Sequence, residues 1–293
     1  MIEYAVKKLA RFSLPCLLQL MLILALSTHS VAQEQSKSEK ATSCKETASS
    51  KGDKDAWRFM VNIYGWMPEA PARLEIDDQT VASLPEDFST ILDSLEMMAM
   101  FELELHKGPI GIFASPIYFR GEDDEHFTGE GGERRKATLK ENLWLVKYGV
   151  SYDFEPLHLL KNCRFPSVVF QPYVGALFLH DEITMEVDPG LFDIGLDYKK
   201  LIQFNTPIVG INTLWDLTRA WKLRLGVNFG GWSVDKVTST REFIGTLSYN
   251  FKMYDISTKV FAGYRYLHID YKHSALKIHV DIKGPLVGVG WEF

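Results

Sequence analysis

The chain has 293 residues, of which 46% are apolar, 13% aromatic and 24% charged, a composition that excludes a disordered or acidic-tail protein. The mean hydropathy of −0.08 excludes a bundle of transmembrane helices. The net charge of −6 argues against nucleic acid as a partner, because binding to phosphates requires a basic face.

The first 32 residues have the pattern of a secretory signal peptide. Lys7, Lys8 and Arg11 form a basic region, and residues 12–26 are almost wholly apolar. The segment Ser30-Val31-Ala32 has the small–x–small form of a cleavage site, so we expect cleavage after Ala32. The alternative is a permanent anchor helix. The apolar run is short for that role, because a membrane-spanning helix needs about 20 apolar residues.

Residues 33–55 are polar and lack large apolar side chains, which predicts a disordered periplasmic leader. Cys44 and Cys163 remain after cleavage, and export makes a disulfide chemically possible. Two cysteines without a spacing pattern favour independent thiols over a bridge. There is no CxxC and no Cys/His cluster, so the sequence predicts neither a metal site nor a cofactor.

From Trp57 onward the chain alternates apolar and polar residues with a period of two, which predicts β-strands. The clearest case is 221–233, where Trp221, Leu223, Leu225, Val227 and Phe229 share one face. We predict an all-β domain over 56–293 with about ten strands, within a range of 8–12. They are placed near 56–67, 95–106, 109–121, 137–153, 167–182, 200–216, 221–234, 241–252, 255–272 and 276–293.

Two architectures produce such strands: a soluble lipocalin-like barrel with an apolar interior, and a closed antiparallel up-and-down transmembrane barrel with a polar interior. Three features favour the transmembrane barrel. The predicted connections 68–94, 122–136 and 183–199 are long, whereas most of those at the opposite end are tight. Trp291 and Phe293 end an alternating last strand, as in the signal that outer-membrane proteins present to the barrel assembly machinery. Aromatic residues cluster near strand ends, as an interfacial girdle requires: Trp57, Trp66, Tyr148, Tyr152, Trp221, Tyr249, Phe251 and Trp291.

One irregularity is a change of phase near Gly284-Pro285. His279 and Asp281 share parity with Val287 and Val289, so one face of this strand is polar before the proline and apolar after it. We interpret the change as a β-bulge or as a break above the membrane.

Five segments together resemble a family of Gram-negative outer-membrane β-barrel proteins. The resemblance runs in order over nearly all of 57–293 and implies a barrel in the cell outer membrane, with no catalytic residues to carry over. The segments are W…YGWMP from Trp57, LDSLEMMAMFELELHKGPIGIF from Leu92, NTPIVGINTLWDLTRAWKLRLGVNFGGW from Asn205, GYRYLHIDY from Gly263, and GPLVGVGWEF from Gly284.

In the transmembrane orientation, seven charged residues face the lumen: Arg58, Glu102, Glu104, Lys147, Arg224, Glu242 and Arg265. Buried charges must be paired or hydrated, and a barrel of about ten strands is narrow. The prediction is therefore a salt-bridged plug with a structural role, with a selective small-solute channel as the alternative.

A rim-site enzyme is a second alternative. The candidates are His180 with Asp181, and His268 with Asp270, at two predicted strand ends. A histidine that acts as a base needs an orienting acid, but the sequence does not show whether these ends meet. Without a hydrolase or nucleotide-binding motif, the prediction is a protein without catalytic activity.

The predicted outer connection 122–136 carries an acidic run over 121–126, extended by Glu130 and Glu133, and then the basic triplet Arg134-Arg135-Lys136. Carboxylates at this density can hold a divalent cation, but the fixed spacing of an EF-hand is missing, so we expect a solvated loop. Outer-membrane lipid and lipopolysaccharide are expected partners, and lipopolysaccharide phosphates would attract the triplet.

Overall fold

A computed structural model describes residues 56–76, 79–84, 94–128, 134–160, 165–187, 196–273 and 276–293. The chain divides into two compact units. One comprises 1–50 and 158–165, and of it only residues 158–160 and 165 are described. The other comprises 51–157 and 166–293 and forms a β-barrel. The predicted signal peptide (1–32), nearly all of the predicted leader (33–55), Cys44 and Cys163 lie outside the described residues, as does any disulfide between those cysteines.

Thirteen strands are described, and ten of them close the barrel. Every neighbouring pair is antiparallel, and the barrel closes where the first strand pairs with the last. The order around the barrel is β1, β4, β5, β6, β8, β9, β10, β11, β12 and β13. Their bounds are β1 Trp57–Trp66, β4 Leu95–Lys107, β5 Ile110–Thr128, β6 Arg134–Tyr152, β8 Ser167–Val187, β9 Leu196–Asp216, β10 Trp221–Val234, β11 Val237–Met253, β12 Ile256–His273 and β13 Leu276–Glu292.

The closed ten-stranded barrel confirms the predicted fold class, but the outer connections differ from the prediction. The segment 68–94, predicted as a loop, contains the hairpin β2 (Ala72–Ile76) and β3 (Gln79–Leu84), which extends the sheet beside β13. The other two long loops, 122–136 and 183–199, are mostly strand, because β5, β6, β8 and β9 continue well past the predicted ends. The remaining strand, β7 (Leu157–His158), lies in the connection between β6 and β8.

The seam between β1 and β13 includes the end of the chain. Phe293 exchanges two backbone hydrogen bonds with Phe59, with N···O distances of 3.1 and 2.9 Å, and the two rings stack with centroids 6.3 Å apart. Trp291 lies opposite Val61 in the register of the seam. The chain terminus therefore belongs to the closed hydrogen-bond ladder, while its role as an assembly signal stays a prediction.

The outer face of the barrel is an apolar belt. Along β10, Trp221 and Phe229 are 45% and 55% exposed, and the alternating residues between them point the same way. On β5 the belt runs from Ile110 to Tyr118, which is close to the 9–11 residues that a tilted transmembrane strand needs. Exposed aromatics border the belt at its periplasmic edge: Trp57, Tyr152, Trp221 and Tyr249.

Two of the predicted girdle aromatics are placed differently. Trp66 is only 2% exposed and faces the interior, because alternation along β1 puts it on the same side as Asn62 and Tyr64. Tyr148 lies opposite Ala114, in the middle of the belt rather than at its edge, and its hydroxyl accepts a hydrogen bond of 3.0 Å from the amide of Asn205.

A continuous apolar belt around a closed sheet, with charged side chains inside, is the arrangement that a lipid bilayer requires. The lipocalin-like alternative needs the reverse. The protein is therefore an outer-membrane β-barrel. In the residues that the structure describes, no helix has the length and apolar composition needed to cross a bilayer.

The phase change near Gly284-Pro285 is not a bulge. β12 and β13 stay in one register from Ser257–Glu292 to His273–Leu276, with no shift between them. The strand instead leaves the bilayer near this point. Below it, Val287 and Val289 face lipid; above it, His279 and Asp281 occupy the same outer face in an aqueous setting, so the polarity of the face changes while the backbone does not.

We expect Leu225→Arg to prevent assembly of the barrel. Leu225 lies midway between Trp221 and Phe229 on the lipid-facing side of β10, where an arginine costs roughly 2–4 kcal/mol. The measurement is the amount of heat-modifiable protein in the outer-membrane fraction. Tyr254→Arg is the control, because Tyr254 is 92% exposed on the periplasmic turn between β11 and β12. Wild-type amounts of the Leu225 variant would show that this face does not meet lipid.

Candidate functional site

The interior of the barrel has two layers along its axis. On β6, the inward residues nearest the periplasmic end are Ser151 and Lys147, whereas the next ones outward are Leu145 and Leu143. β12 changes in the same way, from Arg265 to Leu267 and Ile269. Charged and polar groups thus fill the periplasmic half, and apolar groups fill the outer half.

The outer layer is a buried hydrophobic cluster. Its central members are no more than 6% exposed, which is the packing of a protein core rather than of an open pore. They come from strands on all sides of the barrel: Trp66, Met100, Ile117, Leu145, Tyr173, Leu177, Phe204, Ile208, Val237, Leu267, Ile269 and Leu286.

The periplasmic layer surrounds a cavity of about 250 Å³. Six of the seven charged residues predicted to face the lumen line it, and the seventh, Glu242, lies beside them and is 4% exposed. Apolar side chains such as Trp215 and Phe261 complete the wall. The charged side chains of the wall provide hydrogen-bond partners for water in the cavity.

Glu242 is the centre of one ionic group, at the boundary between the two layers. Its carboxylate accepts a 2.8 Å hydrogen bond from Lys147 Nζ and lies 2.8 Å from Arg265 Nε. Asn228 also donates to it. Because Lys147 is on β6 and Glu242 on β11, this pair crosses the lumen. The guanidinium of Arg265 further stacks on the ring of Trp66, 4.8 Å from its centroid.

A second ionic group surrounds Arg224. Its Nη1 atom donates to Glu102 Oε1 at 2.9 Å and to Glu104 Oε1 at 3.3 Å. Asn62 donates to the other oxygen of Glu102 at 2.8 Å. Glu104 extends this series of polar contacts to His106, whose Nε2 atom lies 3.1 Å from Glu104 Oε2.

His106 connects this group to the periplasmic end of the barrel. The imidazole is 2% exposed, and its Nδ1 atom lies 3.4 Å from Asp153 Oδ2. Asp153 also lies 3.3 Å from Arg58 and accepts a 2.7 Å hydrogen bond from Gln171. The charges of the lumen thus form connected networks, which is how a protein holds ions away from bulk water.

Sequence reasoning missed His106, Asp153, Lys259 and Asn62, all of which line the cavity. For His106 and Asn62 the signal was available, because they share strand parity with Glu104 and Arg58. The same signal was available for Asp153, because it shares parity with Lys147 and ends the predicted strand 137–153.

The side chains of the candidate catalytic pair His180 and Asp181 point to opposite faces of β8. Adjacent residues of a strand point to opposite faces, so His180 lies on the outer wall of β8 and Asp181 inside the barrel mouth. Burial raises the pKa of the Asp181 carboxyl to about 6. Three strands separate β8 from β12, so this pair does not meet the pair on β12.

His268 and Asp270 do come together, on the outer wall of β12 above the apolar belt. His268 Nε2 lies 3.0 Å from Asp270 Oδ2, and its Nδ1 lies 2.9 Å from Asp281 Oδ1 on β13. His279 Nδ1 lies 2.5 Å from the other oxygen of Asp270. We call His268, Asp270, His279 and Asp281 the outer His/Asp network.

Two hydroxyl groups complete this network. Tyr266 donates to Asp281 at 2.6 Å, and Ser239 donates to Asp270 at 2.6 Å. Ser239 is therefore hydrogen-bonded to the carboxylate and not to an imidazole. A catalytic triad requires the hydroxyl to donate to the base, and this arrangement does not provide that contact.

The network shifts the pKa values of its members. Burial acts to lower the pKa of His268, but hydrogen bonds with Asp281 and Asp270 outweigh burial and raise it. Burial acts to raise the pKa of Asp270, and hydrogen bonds from Ser239, His279 and His268 bring it below its usual value. The charged forms of both residue types are thus stabilised.

The acidic run at 121–126 is part of β5, and Arg134-Arg135-Lys136 begins β6, so the predicted solvated loop is a strand hairpin there. The side chains of 124–137 lie outside the described residues, as do Glu130 and Glu133. In the described part of the chain, no group of three or more His, Cys, Asp and Glu side chains is arranged to hold a metal ion.

No family model and no curated protein match the chain, so the family resemblance of its motifs stays a prediction. Solved outer-membrane barrels are similar in fold. The outer membrane protease OmpT from Escherichia coli is 10% identical, with a TM-score of 0.47, covering 85% of this chain and 100% of that one. The translocator domain of the autotransporter NalP from Neisseria meningitidis is 10% identical, with a TM-score of 0.37, covering 91% and 98%. At these values the likenesses carry no information about activity.

We expect Glu242→Leu to destabilise the barrel by about 3–5 kcal/mol, because it leaves Lys147 and Arg265 buried without their carboxylate. The measurement is equilibrium urea unfolding in lipid vesicles. Asp216→Asn is the matched control, because it breaks the exposed Lys222–Asp216 pair, for which about 0–1 kcal/mol is expected. Adding Lys147→Met to Glu242→Leu should recover part of the loss. Equal losses in both single variants would contradict the central role of Glu242.

We expect the outer His/Asp network to stabilise the fold more at acidic than at alkaline pH. The folded pKa of His268 is raised, so its contribution is complete below about pH 6.5 and is lost as the pH rises through the folded value. The measurement is the unfolding midpoint in vesicles across this range, for wild type and His268→Gln. The control is His180→Gln, because His180 makes no ion pair with any described residue. An unchanged pH profile in the His268 variant would contradict the assignment.

Proposed function

We propose that this chain is an integral outer-membrane β-barrel without catalytic activity whose role is structural, and that solutes do not pass along its full length. The observation that carries the proposal is the pair of layers inside the barrel. A path through the lumen would have to cross both the ion pair of Glu242 and Lys147 and the apolar cluster above it.

The apolar cluster supports the closed state more strongly than the charges do. Ions and water pass through charged constrictions when the side chains hydrate, as porin lumens illustrate. The buried layer that contains Phe204, Leu267 and Ile269 is mainly apolar, with Thr206 and Thr240 as small polar members, and filling such a layer with water is unfavourable. A narrow channel remains the alternative if the layer opens.

The absence of catalysis is supported by the placement of the candidate residues. His180 and Asp181 lie on opposite faces of β8, and Ser239 donates to Asp270 rather than to either imidazole of the outer His/Asp network. The contacts around His268 are those of a saturated hydrogen-bond network.

We expect purified protein in planar lipid bilayers to show no conductance steps, while a 16-stranded porin measured beside it does. Phe204→Ala combined with Leu267→Ala should create measurable steps, because the double variant truncates two of the largest fully buried side chains of the apolar layer and leaves the ionic layer in place. Lys147→Met with Glu242→Leu is the control, and it should stay silent because the apolar layer is intact. Regular steps in the wild-type protein would overturn the closed-lumen proposal in favour of the channel.

A further inference from the structure

Cations at the outer edge of the apolar belt behave differently on the two sides of the barrel. On the wall formed by β4 to β9, they are neutralised: Arg120 Nε lies 2.8 Å from Glu96, and Lys199 Nζ lies 2.6 Å from Glu182. On the wall formed by β11 to β13, the side chains of Arg241 and Lys283 make no hydrogen bond or ion pair with any part of the chain that the structure describes.

Two carboxylates of this second wall, Asp270 and Asp281, are occupied. Asp270 is bound by Ser239, His268 and His279, and Asp281 is bound by Tyr266 and His268. Neither carboxylate neutralises Arg241 or Lys283. The raised pKa of His268 adds further positive charge to the same surface as the pH falls. The outer His/Asp network thus engages Asp270 and Asp281. Glu69 lies directly opposite Lys283 and is exposed, but its carboxylate makes no ion pair with Lys283.

The register of the strands brings the two cations together. Arg241 lies opposite His268, which lies opposite Asp281; one step lower, Phe243 lies opposite Tyr266, which lies opposite Lys283. Arg241 and Lys283 therefore flank β12 two strand spacings apart and two residues apart along the strands, so their Cα atoms are separated by about 12 Å. His268 and Tyr266 fill the surface between them.

Directly below this surface the wall is apolar. Phe243, Tyr264 and Val287 are 44%, 46% and 51% exposed on the lipid-facing side of β11, β12 and β13. A ligand with an anionic group at the height of Arg241 and with hydrocarbon chains below it would match both parts of the wall. This combination is that of a membrane lipid, and the outer end of the barrel places it in the outer leaflet.

We propose that Arg241 and Lys283, on either side of β12, bind a phosphate group of lipopolysaccharide whose acyl chains lie against the belt below. His268 and Tyr266 lie between the two cations, but their donors are engaged by Asp270 and Asp281, so the two cations make the contacts to the phosphate. Arginine binds phosphate through a planar pair of N–H groups, and lysine adds a point charge. A phosphomonoester carries more negative charge than the phosphodiester of an ordinary phospholipid, so two unneutralised cations favour it. The site does not depend on whether the lumen is closed.

The test uses the full mature chain, purified in uncharged detergent and titrated with bisphosphorylated lipid A while native mass spectrometry counts bound lipid. Each cation near an anionic lipid surface changes affinity by roughly fivefold, so Arg241→Gln with Lys283→Gln should lose roughly 25-fold. Arg120→Gln with Lys199→Gln is the matched control, because it removes the same charge at the same edge of the opposite wall, and its affinity should stay within about twofold.

Three results would overturn the proposal: unchanged affinity in the Arg241/Lys283 variant, equal losses in both double variants, or equal affinity of the wild-type protein for lipid A and phosphatidylglycerol. The last result would assign the site to phospholipid. The charge-preserving variant Arg241→Lys with Lys283→Arg should keep most of the affinity. A heat-modifiable band verifies folding, and if the double glutamine variant does not fold, the single variants carry the test with about fivefold losses each.

Discussion

The ion pair between Glu242 and Lys147 is the interaction on which the interior of this barrel depends. It crosses the lumen from β11 to β6, and Arg265 joins it from β12. A carboxylate and two cations at this depth cannot be exposed to lipid, and they are stable inside only because each has a partner. The pair also marks the level at which the polar half of the lumen ends and the apolar half begins.

The bilayer explains the outer belt, because strands that contact lipid must carry apolar side chains on their outer face. The interior is polar near the periplasmic end and becomes apolar while the strands are still within the belt, since Ile117 lies beside the belt residue Tyr118 and Tyr173 lies beside Val174, which is 60% exposed. Where β12 and β13 extend beyond the belt, their outer face carries the outer His/Asp network and the apolar interior continues.

This division places the chemistry of the chain at two locations. The periplasmic cavity contains connected charges, from Arg58 at its entrance to Arg224 in the centre. The outer wall of β11 to β13 contains the outer His/Asp network and, beside it, Arg241 and Lys283, which make no ion pair within the part of the chain that the structure describes. In the first location most charges are paired with one another, whereas in the second only the aspartates of the network are.

The sequence by itself determined that the chain forms a barrel and which residues of each clear strand face lipid or the lumen. Alternation along 221–233 fixes which residues of β10 share a face, and the same parity places Glu102, Glu104 and Arg265 together inside. Strand parity is local, so it can be read without knowing the partners of a strand. The strand ends could not be read in this way, because the polarity of each face changes where a strand leaves the membrane. Because of that change, the sequence pattern predicted a bulge or break in β13 at Gly284-Pro285. For the same reason it predicted loops where β5, β6, β8 and β9 continue as strands.

Only the tertiary structure decided which charges meet and what fills the lumen. Lys147 and Glu242 are separated by four strand positions in the barrel, and no sequence pattern links residues across a closed sheet. Trp66 looked like a girdle residue and instead packs on Arg265, because its neighbour in space is set by closure of β1 on β13. Alternation states on which side of the sheet a residue lies, but the distance to the opposite wall depends on how many strands close and with what tilt, and those are properties of the whole barrel.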